Sequence, residues 1–250
     1  MRLGGLLLLG WIYAMGVCAD EQARQQLHEL RTRSALLCSS ALLYFNPAHK
    51  EPDSRALAAS YDSLNLLATR TVQLGQPEPM ATHLRDMQRL FKDLERLPLR
   101  QAEQYPALLQ QLLRLQREVD SWAAGQLAAD GGGENSTAQA LRQQSLDMAH
   151  LLLDYQARSY PLAGEAFAWL AASERQALDQ RLNQGFVSLR ATEAALAEPL
   201  GAARQGYRFV RTRILASTAG QPSGGVEFYL ARSVVDIDEL AAQADSPTVE

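Results

Sequence analysis

From Asp20 to Phe45, apolar or small residues return at alternating steps of four and three: Ala23, Leu27, Leu30, Ser34, Leu37, Ala41 and Tyr44. That spacing predicts a helix packed lengthwise against its neighbours. Asn46-Pro47 ends it, because proline disfavours helical geometry in the residue before it. A second helix starts near Pro52-Asp53-Ser54, carries Leu57, Tyr61, Leu64, Ala68 and Thr71, and ends at Gly75. A third follows Pro77 and Pro79 with Met80, Leu84, Met87, Phe91 and Leu94, closing at Leu97-Pro98. A fourth begins after Tyr105-Pro106 and holds Leu108, Leu112, Leu115, Val119 and Trp122. Helices of about twenty residues are roughly 30 Å long, and short connections favour antiparallel neighbours.

Residues 129–136, with Gly131-Gly132-Gly133, read as a flexible linker between two helical halves, 20–128 and 137–250. The second half opens on Ser136-Thr137-Ala138-Gln139, a capping box. A fifth helix holds Leu141, Ser145, Met148, Leu152 and Tyr155. A sixth runs from Phe167 to Leu196, ending before Pro199, with a possible restart at Ser173-Glu174-Arg175-Gln176. Val and Ile concentrate after Tyr207. A β-hairpin over 207–231 is one reading; a short helix, a Gly/Pro/Ser loop and a final helix through Val226, Leu230, Val234, Ile237 and Leu240 is the preferred one. On that final helix Asp236, Asp238 and Glu239 fall on the polar side and are expected to answer an arginine stripe. Leu42-Leu43-Tyr44-Phe45 before Asn46-Pro47 also resembles Leu152-Leu153-Asp154-Tyr155 before Tyr160-Pro161, which a duplicated helical unit would explain.

Composition agrees with the pattern. Ala and Leu make up roughly a third of the 250 residues. Such residues lose little rotamer freedom in a helix, whereas the scarce β-branched residues suit strands. The expected fold is an all-α antiparallel bundle of long amphipathic helices. A formal net charge of -4 argues against nucleic acid as a partner, since phosphate neutralisation needs an excess of Lys and Arg. Residues 1–19 read as a secretory signal: a basic start, an apolar run from Leu3 to Val17, then Val17-Cys18-Ala19 before Asp20-Glu21. Cleavage after Ala19 would leave a periplasmic or secreted chain; the alternative is an uncleaved inner-membrane anchor. Cleavage removes Cys18, so Cys38, within Ala35-Leu36-Leu37-Cys38, has no intramolecular disulfide partner and reads as a small buried hydrophobe.

Chemistry-bearing motifs are sparse. The chain has no Gly-x-Ser-x-Gly, phosphate loop, dinucleotide fingerprint or paired cysteines at metal spacing. Met80, His83 and Met87 share one helical side and form a soft set suited to cuprous copper, though Met80 and Met87 also belong to the core stripe. Arg204, Arg208 and Arg211 would form a cationic stripe able to meet an anionic partner or a phospholipid surface. Arg31 and Arg33 interrupt the first helix and either line a carboxylate pocket between helices or flank the seam. Long heptads, an export signal and no visible catalytic grouping point to a non-enzymatic bundle without a cofactor. Its expected role is to bind an envelope protein partner; the alternative is a periplasmic small-ligand or copper-binding module.

Overall fold

The computed structural model describes residues 5–49, 51–130, 136–161, 167, 169–216 and 224–245. Among the described residues the only regular secondary structure is helix. The α-helices are α1 (Gly5–Tyr44), α2 (Ser54–Gln73), α3 (Glu78–Arg96), α4 (Tyr105–Asp130), α5 (Ser136–Arg158), α6 (Ala172–Thr192), α7 (Ala197–Leu215) and α8 (Gly224–Asp245). Among the described residues no helix is long and apolar enough to cross a membrane. The centre of the expected linker, 131–135, lies outside the described residues, as do residues 1–4 of the expected signal.

Local chemistry sets the boundaries. Asp53 caps α2 by accepting the Arg55 backbone N–H at 3.0 Å. Gly75 takes a φ of 80° to close the same helix. Pro79 sits in the first turn of α3, where its missing N–H costs nothing. The restart at residue 173 occurs two residues earlier: Glu174 reaches back to the Ala171 N–H at 2.7 Å, which makes Ala171 the cap. The sixth helix ends at Thr192, before Pro199, but Pro199 does not itself stop it. It lies in the first turn of α7, again where no intrahelical donor is needed. The possible hairpin is corrected too: 207–215 and 224–231 are helical, and residues 217–223 lie outside the described residues.

Contacts along the helices fix their directions. Arg31 and Cys38 of α1, and Phe45 just beyond it, meet Asp120, Leu112 and Tyr105, so α1 and α4 are antiparallel. Gln156 and Arg142 of α5 meet Glu227 and Asp245 of α8, which are antiparallel as well. The two lead helices, however, run parallel: Gln25 meets Arg142, His28 meets Ser145, and the Tyr160 hydroxyl just beyond α5 donates to the Phe45 carbonyl just beyond α1. A single apolar core, drawing on all eight helices, fills the space around this pair. Cys38 is part of it, and burial pushes its thiol pKa up.

The two halves repeat one pattern. Arg24-Gln25-Gln26 recurs 118 positions later as Arg142-Gln143-Gln144. Arg24 pairs with Asp130, the last residue of α4; Arg142 pairs with Asp245, the last residue of α8. Gln25 donates to Glu29 (2.9 Å) and Gln143 to Asp147 (2.7 Å). Glu29 then holds Arg70 of α2 at 2.5 Å, and Asp147 holds Arg181 of α6 at 2.9 Å. The same ladder is thus built twice, in a register different from the resemblance seen between residues 42–47 and 152–161.

Between the halves lies a buried polar seam. Glu227, Asp238 and Asp245 are spaced eleven and seven apart, so α8 presents all three on one side. Asp238 is therefore not on a solvated face; it is 2% exposed and lies between α1 and α5. His28 Nε2 is 2.9 Å from Asp238 Oδ1, Thr32 donates to Oδ2 at 2.9 Å, and Gln25 donates to the Asp238 carbonyl at 3.0 Å. Burial alone would raise the Asp238 pKa; the His28 charge and hydrogen bond, with Ser145 and Arg33, outweigh it and hold the carboxyl below its usual range.

Removing Asp238 leaves His28 and Thr32 buried without their partner, so Asp238→Ala should cost about 3–5 kcal/mol near neutral pH. A depressed folded-state pKa stabilises above the unfolded value and is lost as pH falls. The gap between wild type and variant should therefore shrink below about pH 4. Urea denaturation at pH 7 and pH 3 checks both the size and the pH dependence.

Candidate functional site: a cavity between α1, α2 and α8

A cavity of about 260 Å³ opens where α8 crosses from its own half onto α1 and α2. That volume is near the lower end of small-molecule sites. The α1 wall is Arg33, Leu36, Ser40 and Leu43, one side of the helix by the steps of three and four. α2 supplies Ala56, Ala59 and Ser63, and α8 supplies Glu227, Phe228, Ala231 and Val235. Aliphatic and aromatic side chains share the wall with about as many polar ones, Asp62 among them.

Glu227 is one of them. It is buried, and accepts from Ser40 Oγ (2.6 Å), Ser39 Oγ (2.7 Å) and Gln156 Nε2 (3.1 Å). Burial pushes its pKa up, and the three hydrogen bonds only partly offset this. Arg33 is the second. It is half-buried, and among the described residues it has no ion-pair partner, while its Nε is buried without a hydrogen-bond acceptor. The other two arginines of the wall are occupied: Arg55 holds Asp53 through two bonds of 3.2 and 3.1 Å, and Arg232 lies 3.7 Å from Asp236. The Asp53–Arg55 pair sits at the mouth against Gly224, where a Cβ would come within 2.6 Å of the Asp53 carboxylate. Glycine at 224 lets α8 start beside the α2 cap.

The internal repeat shows that this site belongs to one side only. The α5 position 118 residues after Arg33 is Leu151, and, with Asp130 and Asp245 matched at a spacing of 115, the α4 counterpart of Glu227 is Leu112; both are buried in apolar packing. The repeat-related positions on α5 and α4 therefore lack the arginine and the carboxyl.

The residues singled out from the sequence are distributed differently. Met80 and Met87 are wholly buried in the core with Leu84 and Phe91, while His83 Nδ1 lies 3.4 Å from Glu118 Oε2 of α4. Among the described residues no group of three or more His, Cys, Asp or Glu is gathered as a metal site. The arginine stripe is not answered by α8. Arg211 holds Asp179 of α6 through two bonds of 2.6 Å, joined by the Tyr207 hydroxyl at 2.6 Å. Arg211 and then Tyr207 draw the Asp179 pKa down. Arg208 is exposed and Arg204 half-buried. Arg31 pairs with Asp120, so of the two interrupting arginines only Arg33 faces a cavity without a partner.

Ser145, His28 and Asp238 lie within hydrogen-bond reach of one another but are not arranged as a nucleophilic triad. Serine and carboxylate both approach the same imidazole nitrogen, whereas a triad uses opposite ones. The Ser145 hydroxyl donates to the Arg142 carbonyl at 3.0 Å. Comparison with protein-family models, curated proteins and solved structures returned no match.

The raised Glu227 pKa has a stability consequence. A folded state that holds this proton more tightly loses stability as pH rises past the unfolded value of about 4.3. Glu227→Gln removes that loss. Its melting temperature relative to wild type should be near parity at pH 4 and should climb toward pH 8 in a thermal-melt series. A constant difference across the range would contradict the assignment.

Proposed function

We propose that this protein is an exported, non-enzymatic helical bundle that binds a small organic acid in the α1–α2–α8 cavity, acting as a solute-binding or sensing module of the cell envelope. The carrying observation is the half-buried Arg33 in the cavity wall, without an ion-pair partner among the described residues. A guanidinium in that setting favours a carboxylate, which it can hold through two parallel bonds. The walls of Leu36, Leu43, Phe228 and Val235 suit an aliphatic or aromatic body. Glu227 lies in the same wall, its carboxyl taken up by Ser39, Ser40 and Gln156.

The heptad pattern by itself points first to a partner-binding bundle. The cavity supports the small-ligand reading over it. Within that reading an acid is favoured over cuprous copper, because the thioethers of Met80 and Met87 fill the core.

Titration with a panel of small aliphatic and aromatic carboxylates, followed by thermal melting and calorimetry, tests the proposal. A true ligand at a hundred times its Kd stabilises by about 2.7 kcal/mol, which corresponds to a rise in Tm of about 5–10 °C for a chain of this size. Arg33→Met should abolish the shift while leaving the unliganded fold intact. A panel with no shift, or an Arg33→Met variant that binds as well as wild type, contradicts it.

A further inference from the structure

The outer face of the α7–α8 pair carries large apolar side chains, of which Phe209 and Tyr229 lie outside the cavity. Phe209 is 69% exposed, Phe228 51% and Tyr229 38%. They form one cluster: ring centroids are 5.1 Å apart for Phe209 and Tyr229, and 5.4 Å for Phe228 and Tyr229. Tyr229 packs over Gly206 of α7. Isolated exposed aromatics are ordinary, but a contiguous set marks a surface with something to cover it.

The surrounding charge indicates what covers it. Arg208 precedes Phe209 and is exposed; Arg232, one turn beyond Phe228 and Tyr229, has 70% of its side chain exposed. Arg204 and Arg213 lie on the same helix as Phe209. Asp236, the acidic residue bordering the aromatic groove, lies 3.7 Å from Arg232 in a solvent-exposed pair that a phosphate can displace. Aromatic rings that enter the acyl boundary, ringed by guanidinium groups that hold phosphates, are the chemistry of an interfacial membrane contact. Arginine suits it better than lysine would, because its planar fork binds phosphate oxygens through two bonds.

We propose that this α7–α8 face is a peripheral membrane-binding surface for anionic phospholipid, with Phe209, Phe228 and Tyr229 entering the interface and Arg208 and Arg232 binding headgroup phosphates. The surface is separate from the N-terminal segment. Phe228 and Tyr229 adjoin Glu227, which is level with Ser40 of α1, whereas the chain enters the bundle near Gln25, roughly 22 Å away along the α1 axis. Phe228 and Arg232 also line the α1–α2–α8 cavity. Phe209 and Arg208 do not, so they probe this surface independently of the cavity.

The test is cosedimentation of the purified protein, its N-terminus read by mass spectrometry, with vesicles of phosphatidylcholine alone and with phosphatidylglycerol added. Binding should require the anionic lipid and weaken with salt. Phe209→Ser should reduce it roughly tenfold and Arg208→Gln roughly fivefold, with melting temperature unchanged because both side chains are exposed. Any residual binding through the N-terminal segment is common to wild type and variants. Equal binding to neutral vesicles, or wild-type affinity in Phe209→Ser, overturns the proposal. So does a photo-crosslinker at position 209 that captures an envelope protein while no anionic vesicle is bound.

Discussion

The structure depends on three carboxyl-bearing residues of α8 being buried against helices from both halves of the chain. Glu227, Asp238 and Asp245 are placed on one side of that helix, and each finds its partners in α1, α5 or both. Burying a carboxylate among apolar side chains is costly unless donors converge on it, and a shift of α8 by one turn would strand all three. The seam therefore discriminates between registers, which apolar heptads alone do poorly. Leu-rich helices can slide past one another with little loss; a ladder with Gln25, His28, Ser40 and Arg142 at fixed heights cannot.

The cavity follows from that constraint combined with an imperfect repetition. Both halves use an Arg-Gln-Gln segment on the lead helix, an acid three residues further along, and an arginine from the next helix to neutralise that acid. Two parallel lead helices then serve as a common axis, and α8 leans across onto α1 and α2. Where the repeat-related positions on α5 and α4 are Leu151 and Leu112, the cavity has Arg33 on α1 and Glu227 on α8. Replacing two leucines by a carboxyl and a guanidinium weakens the core, so the cost is understandable only if the polar pair does something that packing does not. That divergence is the strongest physical reason to place function there. It also accounts for the arginine lacking an internal partner while others, such as Arg31, Arg70 and Arg181, have one.

Much of the fold was legible because amphipathic periodicity and proline positions act locally. The stripe Met80, Leu84, Met87, Phe91 and Leu94 is the buried side of α3, and Asn46-Pro47 follows the end of α1. The helix at 207–215 was ambiguous because β-branched residues there fit either period; tertiary packing of Tyr207, Val210 and Ile214 selects the helix. Asp238 was misplaced on a solvated side for a related reason. Its polarity suggested water, yet it shares the side of Glu227, and only contact with His28 and Thr32, some 210 residues away in the chain, makes burial tolerable. Arg33 stood out as a charge on an apolar helix, but its partnerless state exists only once α2 and α8 have closed around it.

If the polar seam joins both halves into one body, they must unfold together. Differential scanning calorimetry of the purified protein tests this directly. One transition with calorimetric and van't Hoff enthalpies in agreement is the expected result. Two resolved transitions, or a van't Hoff enthalpy near half the calorimetric one, would mean that the halves melt independently and that the seam does not hold the structure together.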